Sequence, residues 1–275
     1  MDVMAQEESR PFRDFELAGW QKTATGYHNY FFSLTNQTVA AMLDALEIES
    51  GSHMLDVASG PGYVAAAAED RGADVIGIDF SELMVDQARQ LHPKVKFACG
   101  DAESLSFGNE TFDAVAMNFG LIHLDRPERA IAEAFRVLKK QGRFAFTVWA
   151  PPEEAIGFGI VLEAIERHGD STVELPAGPP FFRFSDPNEC KRVLQDAGFA
   201  VKSIKKMPML WRFHSPAHLF SAFYTGTPRT GGLLRAQTQE NLRAIEAEVI
   251  ATAKRYRRGE GIEIPMASLL VAATK

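Results

Sequence analysis

Cysteine is scarce in this chain: of 275 residues only Cys99 and Cys190 carry a thiol, and they lie far apart. That excludes a disulfide framework and the paired spacing of a metal site, and predicts two semi-buried thiols in a reducing compartment and no bound metal. Positive charge is also short, with 29 Lys and Arg against 36 Asp and Glu and a formal net charge of -7. A chain without a basic face has no electrostatic footprint for nucleic acid. No apolar run reaches the ~20 residues needed to span a bilayer. The opening residues Met1 to Glu8 lack the basic and then apolar plan of an export leader. A soluble, cytoplasmic protein is expected, with residues 1 to 10 frayed. Internal repeats and low-complexity stretches are absent too. What remains is enough chain to bury a substantial core without staples, read here as one large domain with an elaborated cap.

The stretch that organises the rest is His53 to Tyr63. Met54, Leu55 and Val57 suit a buried strand, Gly60, Pro61 and Gly62 make a sharp turn, and the Ala-rich run from Val64 to Ala68 begins a helix. A strand that breaks at glycines and re-enters as a helix leaves backbone N–H groups open to a ligand, as for a nucleotide-like cofactor. Asp56, at the carboxyl end of that strand, argues against a phosphate there and for a ligand offering a cation or hydroxyl donors.

Strand and helix then alternate with short joints. Asp74 to Asp79, Val95 to Cys99, Phe112 to Phe119 and Arg143 to Trp149 read as further strands. Ser81 and Pro127 start the helices between them. Such alternation predicts a parallel sheet flanked by helices. Upstream, Phe12 to Phe32 is unusually aromatic and broken by Gly19 and Gly26. It reads either as a helical flap whose rings cover a pocket, Trp20, Tyr27, His28 and Tyr30 among them, or as a helix packing rings on the core. Ser33 or Thr35 is expected to cap a second helix through Leu46. Downstream come an insertion with a helix over 154–167, a helix begun by Ser185 to Glu189 and a sixth strand over 199–205. A second insertion over about 207–261 carries Trp211, His214, His218 and Tyr224 and then a long charged helix over about 233–258, a solvated strut or the contact of a homodimer. A last strand over 266–274 closes the chain.

Ligands of an open parallel sheet bind beyond the carboxyl ends of its strands. Asp56, Asp79 and Asp101 fall at three such ends. Asp79, some 20 residues after the turn, suits two ribose hydroxyls. Asp101 can accept from an exocyclic amine, with the Ala102 N–H facing a ring nitrogen, and Phe80 and Met84 offer a surface to a purine. Taken one at a time, each Asp is also an ordinary turn residue.

These residues resemble the class I S-adenosylmethionine-dependent methyltransferases, in particular the branch of ubiquinone and menaquinone biosynthesis. The resemblance covers about residues 50 to 150 in LDVASGPGY at 55 to 63, VIGIDFS at 75 to 81, CGDAESLSF at 99 to 107 and FDAVAMNFGLIHLDRPERAIAEAFRVLKKQGR at 112 to 143. A late segment, RFSDPNECKRVLQDAGF at 183 to 199, extends it. It implies an α/β, Rossmann-like three-layer sandwich with a mostly parallel seven-stranded sheet, the last strand antiparallel, and a helical cap. The expected units are a flap over 1–46, a cofactor-binding core over 47–206 and 262–275 with an insertion at about 150–185, and a cap over 207–261.

The resemblance also implies S-adenosylmethionine as cofactor and a methyl transfer to an O, N, S or C nucleophile of a small, aromatic or lipophilic acceptor. Gly60 and Gly62 would admit the methionine moiety, Asn118 or Phe119 would line the same cleft, and Tyr27 would reach the cofactor carboxylate. His123 is the first candidate base, with Asp125, His28, Tyr27, His214 and His218 behind it. Trp20, Tyr30, His28, Trp149, Trp211, His214 and Tyr224 are the candidate acceptor-site residues. The chain departs from the family at Ala58, where the first glycine of the turn is usual and where alanine is tolerable at negative φ. It departs again at Lys139-Lys140-Gln141-Gly142. Two other readings stay open: an NAD-dependent oxidoreductase, since Gly60-Pro61-Gly62 also satisfies a loose dinucleotide pattern, and a catalytically silent cofactor-binding interaction protein.

Overall fold

The computed structural model describes residues 10–170 and 172–275; of the segment expected to be frayed, residues 1–9 lie outside it. The chain opens with α1 (Pro11–Thr35), a 3-10 turn and α2 (Val39–Ala45). Then alternate β1 (His53–Val57), α3 (Tyr63–Asp70), β2 (Asp74–Asp79), α4 (Glu82–Leu91) and β3 (Lys96–Cys99). They are followed by β4 (Phe112–Asn118), α5 (Pro127–Val137), β5 (Leu138–Trp149), α6 (Ile156–His168) and α7 (Pro187–Asp196). The remainder is β6 (Ala200–Phe213), α8 (Ala217–Gly226), α9 (Arg229–Arg235), α10 (Gln239–Ala253), the two-residue β7 (Arg257–Arg258) and β8 (Gly261–Thr274).

The sheet order is β3-β2-β1-β4-β5-β8-β6, with β7 paired to β8. The first five strands are mutually parallel and β8 runs antiparallel to both of its long neighbours. This is the Rossmann-like α/β sandwich that the strand–helix alternation implies, with a short eighth strand added. Its central strands are covered on both faces. In β4, Val115 and Met117 join the core on one side while Ala114 and Ala116 join the core on the other, which is why that segment reads as an unbroken apolar run.

Several boundaries differ from expectation. Gly19 and Gly26 do not break α1, which runs 25 residues through both. A Cβ at Gly19 would lie 2.6 Å from the Pro228 side chain, and one at Gly26 would lie 2.3 Å from the Thr225 carbonyl oxygen. Those glycines let α1 cross α8 and the start of α9 at close range, a packing gain that outweighs their helix penalty of about 1 kcal/mol each. Thr35 starts no new helix; its hydroxyl donates back to the Phe31 carbonyl within α1.

The sixth strand continues through Phe213, past the point where the cap was expected to begin, and β8 starts at Gly261. Met209, Trp211 and Phe213 alternate inward along it, so the extension is a period-2 strand that Pro208 disguises in the sequence. The single long helix over 233–258 is two helices. Thr238 accepts from the Asn241 N–H and starts α10 afresh. Among the described residues no helix is long and apolar enough to cross a membrane.

Candidate active site

The carboxyl ends of β1, β2 and β4 open into a cleft of about 1170 Å³, counting the space at its mouth, which α1 roofs. Asp56, Asp79 and Asp101 all line it. Asp56 is 1% exposed, and one of its oxygens, Oδ2, accepts from the Ala65 N–H at 3.0 Å, capping the first turn of α3. The other, Oδ1, is buried with no hydrogen-bond partner. Burial, with a smaller contribution from the Asp79 charge, pushes the Asp56 carboxyl up to about 8.

Asp79 accepts from the Ser81 N–H through Oδ1 and from the Gly60 N–H through Oδ2, both at 2.9 Å. Burial pushes it up to about 6 against the pull of those two donors. Each oxygen keeps a lone pair for a further donor. Gly60 has φ +50°, and a Cβ built on it would meet nothing within 4 Å. The cleft floor there is open backbone.

Asp101 is engaged by the roof. Its Oδ2 accepts from Arg13 Nε at 3.1 Å and Nη2 at 3.0 Å. One turn earlier, Arg10 pairs with Glu103 and Asp125, so the start of α1 is latched to the loops after β3 and β4. Ala102, Phe80 and Met84 line the cleft beside Asp101. Tyr27 lines it too, stacked on Phe31 at 5.3 Å and edge-on to Trp20 at 5.2 Å. Burial pushes its phenol up to about 12, which keeps it a neutral donor.

Asn118 lines the cleft but is already occupied. Its Oδ1 accepts from the Thr38 and Thr147 hydroxyls at 2.9 and 2.6 Å, and its Nδ2 donates to the Thr35 carbonyl. Its side chain ties the end of β4 to α1 and β5.

Ala58 corrects the expectation of negative φ: it stands at +54°, in the left-handed region that favours glycine. Gly62 also differs from its expected role. It does not line the cleft; it sits at φ +85°, and its hydrogen faces the Phe97 ring, 2.5 Å from where a Cβ would be. It lets α3 pack on α4 and β3, and so shapes the turn from behind.

The expected acceptor-site residues divide. Trp20 and Trp149 line the cleft. Tyr30, His28, Trp211, His214 and Tyr224 are not among its lining residues. Trp211 is fully buried and donates its indole N–H to the Tyr30 carbonyl at 2.9 Å, while the Tyr30 ring faces Phe213 and His218. His28 is hydrogen-bonded to the Tyr63 hydroxyl. Tyr224 stacks on Phe220, and His214 follows the end of β6. Aromatic composition identified these as rings near the roof, but could not say which way each points.

Sequence reasoning passed over Thr35, Phe158, Phe181, Arg229 and Thr230, which also line the cleft. It also passed over Glu16. That residue is fully buried, and its Oε2 stands 3.0 Å from Nδ1 of His123, whose ring lines the cleft. The readable signal was its place on the inward stripe of α1 with Phe12, Trp20 and Phe31. A carboxylate on a buried helical face calls for a partner.

A parallel sheet with an antiparallel closing strand, a glycine turn open to ligand and three strand-end carboxylates around one crevice define the class I S-adenosylmethionine-dependent methyltransferase fold. Residues 55–146 match the model of the methyltransferase domain, a family whose methyl donor is S-adenosylmethionine. The demethylmenaquinone methyltransferase of Beutenbergia cavernae is 38% identical over 123 residues, 43% of this chain and 51% of that protein. The chain thus spans about half the length of the curated relatives it matches. The solved structure of YcgJ from Bacillus subtilis superposes with a TM-score of 0.57 at 20% identity, covering 86% of this chain and 97% of that one. The [4+2]-cyclase SpnF superposes at 0.53 and 20% identity, covering 87% of this chain and 80% of its own. These two likenesses concern the fold alone.

Proposed function

We propose that this protein transfers the methyl group of S-adenosylmethionine to a small, flat acceptor. The observation that carries the reading is the unpaired Oδ1 of Asp56, buried at the floor of a cleft whose other two carboxylates are Asp79 and Asp101. A lone buried acceptor of this kind calls for a donor, and the ammonium of the methionine moiety supplies one. Asp79 is suited to both ribose hydroxyls through its free lone pairs, and Asp101 to an exocyclic amine once Arg13 yields. Gly60 lets the ligand lie against backbone.

The cofactor, when bound, supplies a methyl group already activated by its sulfonium. The residues of the chain therefore act chiefly by holding two reactants in line and excluding water, an effect of order ~7–11 kcal/mol. A positioned base adds only about two to four decades of rate. Trp20, Trp149, Phe158 and Phe181 offer an acceptor flat apolar walls, and His123 is the base nearest to hand. The demethylmenaquinone methyltransferases among the curated relatives, named for the acceptor they methylate, support a small aromatic acceptor of this sort.

Calorimetric titration with S-adenosylmethionine, S-adenosylhomocysteine and NADH tests the cofactor. Micromolar binding of the first two with none of the third is expected, and the reverse order would overturn the reading. A search of cell extracts for a labelled methyl product then separates an enzyme from a silent cofactor-binding protein.

A further inference from the structure

The buried pair Glu16 and His123 is distinct from the three strand-end carboxylates. Glu16 belongs to α1 and His123 to the turn after β4, 107 positions later. The Glu16 side chain is 0% exposed and that of His123 is 17% exposed. One carboxylate oxygen meets Nδ1 of the imidazole at 3.0 Å. The other, Oε1, has no hydrogen bond, and the nearest cation is Arg229, whose Nε lies 4.0 Å away. Arg229 is itself held by four groups. It donates to the carbonyls of Ile122 and Pro179, and its guanidinium lies over the rings of Phe12 and Phe181.

A carboxylate can only accept, so the proton of this contact belongs to Nδ1. The imidazole is then held as the tautomer with a bare Nε2, and Nε2 meets no protein hydrogen-bond partner among the described residues. Trp20 and Phe181 stand edge-on to the ring, at 4.9 and 6.0 Å between centroids, and fix its plane. A buried carboxylate leaning on an imidazole that faces a ligand cleft does what a base needs: it sets the tautomer and stabilises the cation formed.

Resting on the methyl-transfer reading above, we infer that Glu16 is a positioning residue that makes His123 a proton acceptor, so that the acceptor molecule carries a ring-borne hydroxyl of the phenol or enol kind. In the transfer, the hydroxyl oxygen forms the bond to the methyl carbon as the bond from carbon to sulfur breaks. The electron pair of that bond stays on sulfur as a thioether. The hydroxyl proton passes to Nε2 and leaves later to water. The walls of Trp20, Phe158 and Phe181 suit the flat body of such a molecule, and no metal or oxidant is required.

The test uses the full chain with S-adenosylhomocysteine and 4-nitrophenol as a probe hydroxyl. Long-range proton–nitrogen correlation on the histidine-labelled protein, with His123→Asn assigning the signal, is expected to show His123 with its proton on Nδ1 in the wild type. In Glu16→Gln the two tautomers should become mixed or reversed. 4-Nitrophenol bound to the complex should appear as the yellow phenolate, with at least a threefold loss of that absorbance in Glu16→Gln and return of most of it in Glu16→Asp. A wild-type His123 protonated on Nε2, or nitrophenolate formation equal in all three proteins, overturns the inference. In either case unchanged calorimetric affinity for S-adenosylhomocysteine leaves the cofactor reading standing, whereas loss of that affinity in the wild type would overturn the cofactor reading instead.

Discussion

Ala58→Gly is expected to stabilise the protein. Ala58 sits at φ +54° in the turn between β1 and α3, and the left-handed conformation costs an L-residue roughly 1–2 kcal/mol. Glycine removes that strain, while the freer unfolded chain takes back about 0.4–1 kcal/mol. The net gain is about 0.5–1 kcal/mol, or about 1–4 °C in Tm for a domain of this size. The neighbouring Gly120 supplies an internal control. A Cβ there would stand 2.6 Å from the Ala58 Cβ and 2.9 Å from the Met117 side chain. The two methyl groups exclude one another, so Gly120→Ala should cost about 1–3 kcal/mol in the wild type. It should cost at least about 1 kcal/mol less when position 58 is glycine, a coupling that a double-mutant cycle isolates. Differential scanning calorimetry of the four cofactor-free proteins measures all of this, with S-adenosylhomocysteine affinity followed alongside. A lower Tm for Ala58→Gly, or a Gly120→Ala penalty independent of residue 58, would refute both the strain and the clash.

Asp79→Ala should weaken S-adenosylhomocysteine binding by about 1.5–3 kcal/mol, since charge-assisted bonds to the ligand are lost; calorimetry at a temperature well below the variant's Tm reads it, and an unchanged Kd would remove the assignment. Asp56 and Asp79 have folded pKa values of about 8 and about 6, above those of unfolded carboxyls. The native state therefore holds extra protons, so the contribution of this pair to stability is complete below about pH 4 and lost as pH rises through 6 and then 8. A cationic, hydroxyl-bearing ligand prefers the ionised forms, so its affinity should climb between pH 6 and 8 with protons released on binding; calorimetry in buffers of different ionisation enthalpy detects that release, and proton uptake would contradict it. Gly62→Ala should cost about 2–5 kcal/mol, because a Cβ would both strain the backbone and strike Phe97. Gly60→Ala, with open space around it, should cost about 1–2 kcal/mol and act mainly on ligand affinity. Urea unfolding and ligand titration of the two variants should separate in that order.

The sheet and the meeting of the three strand-end carboxylates were legible because local rules govern them. Parallel strands joined by short crossovers bring their carboxyl ends to one edge, so Asp56, Asp79 and Asp101 meet wherever the alternation is read correctly. The aromatic side of the cleft was less legible because it depends on how helices dock. Trp20 and Tyr27 face inward while Tyr30 and His28 face away, a difference of helical phase that aromatic content alone does not contain. Thr35, Arg229 and Thr230 reach the cleft only through the packing of α1 on α8 and α9. The sign of φ at Ala58 was beyond reading, since the surrounding chain imposes it. Glu16 could have been found by asking why an acid interrupts the buried stripe of α1.

The tight crossings at Gly19 and Gly26 carry a mechanical implication. With Pro228 and Thr225 seated against bare helix backbone, α1 has no side-chain cushion at those two crossings. The ceiling over the cleft is thus pinned by close packing at one end, near the Trp211 indole, and by the ion pairs of Arg10 and Arg13 at the other. Admission of a ligand should accordingly quicken with ionic strength, while the aromatic chamber beneath keeps its shape.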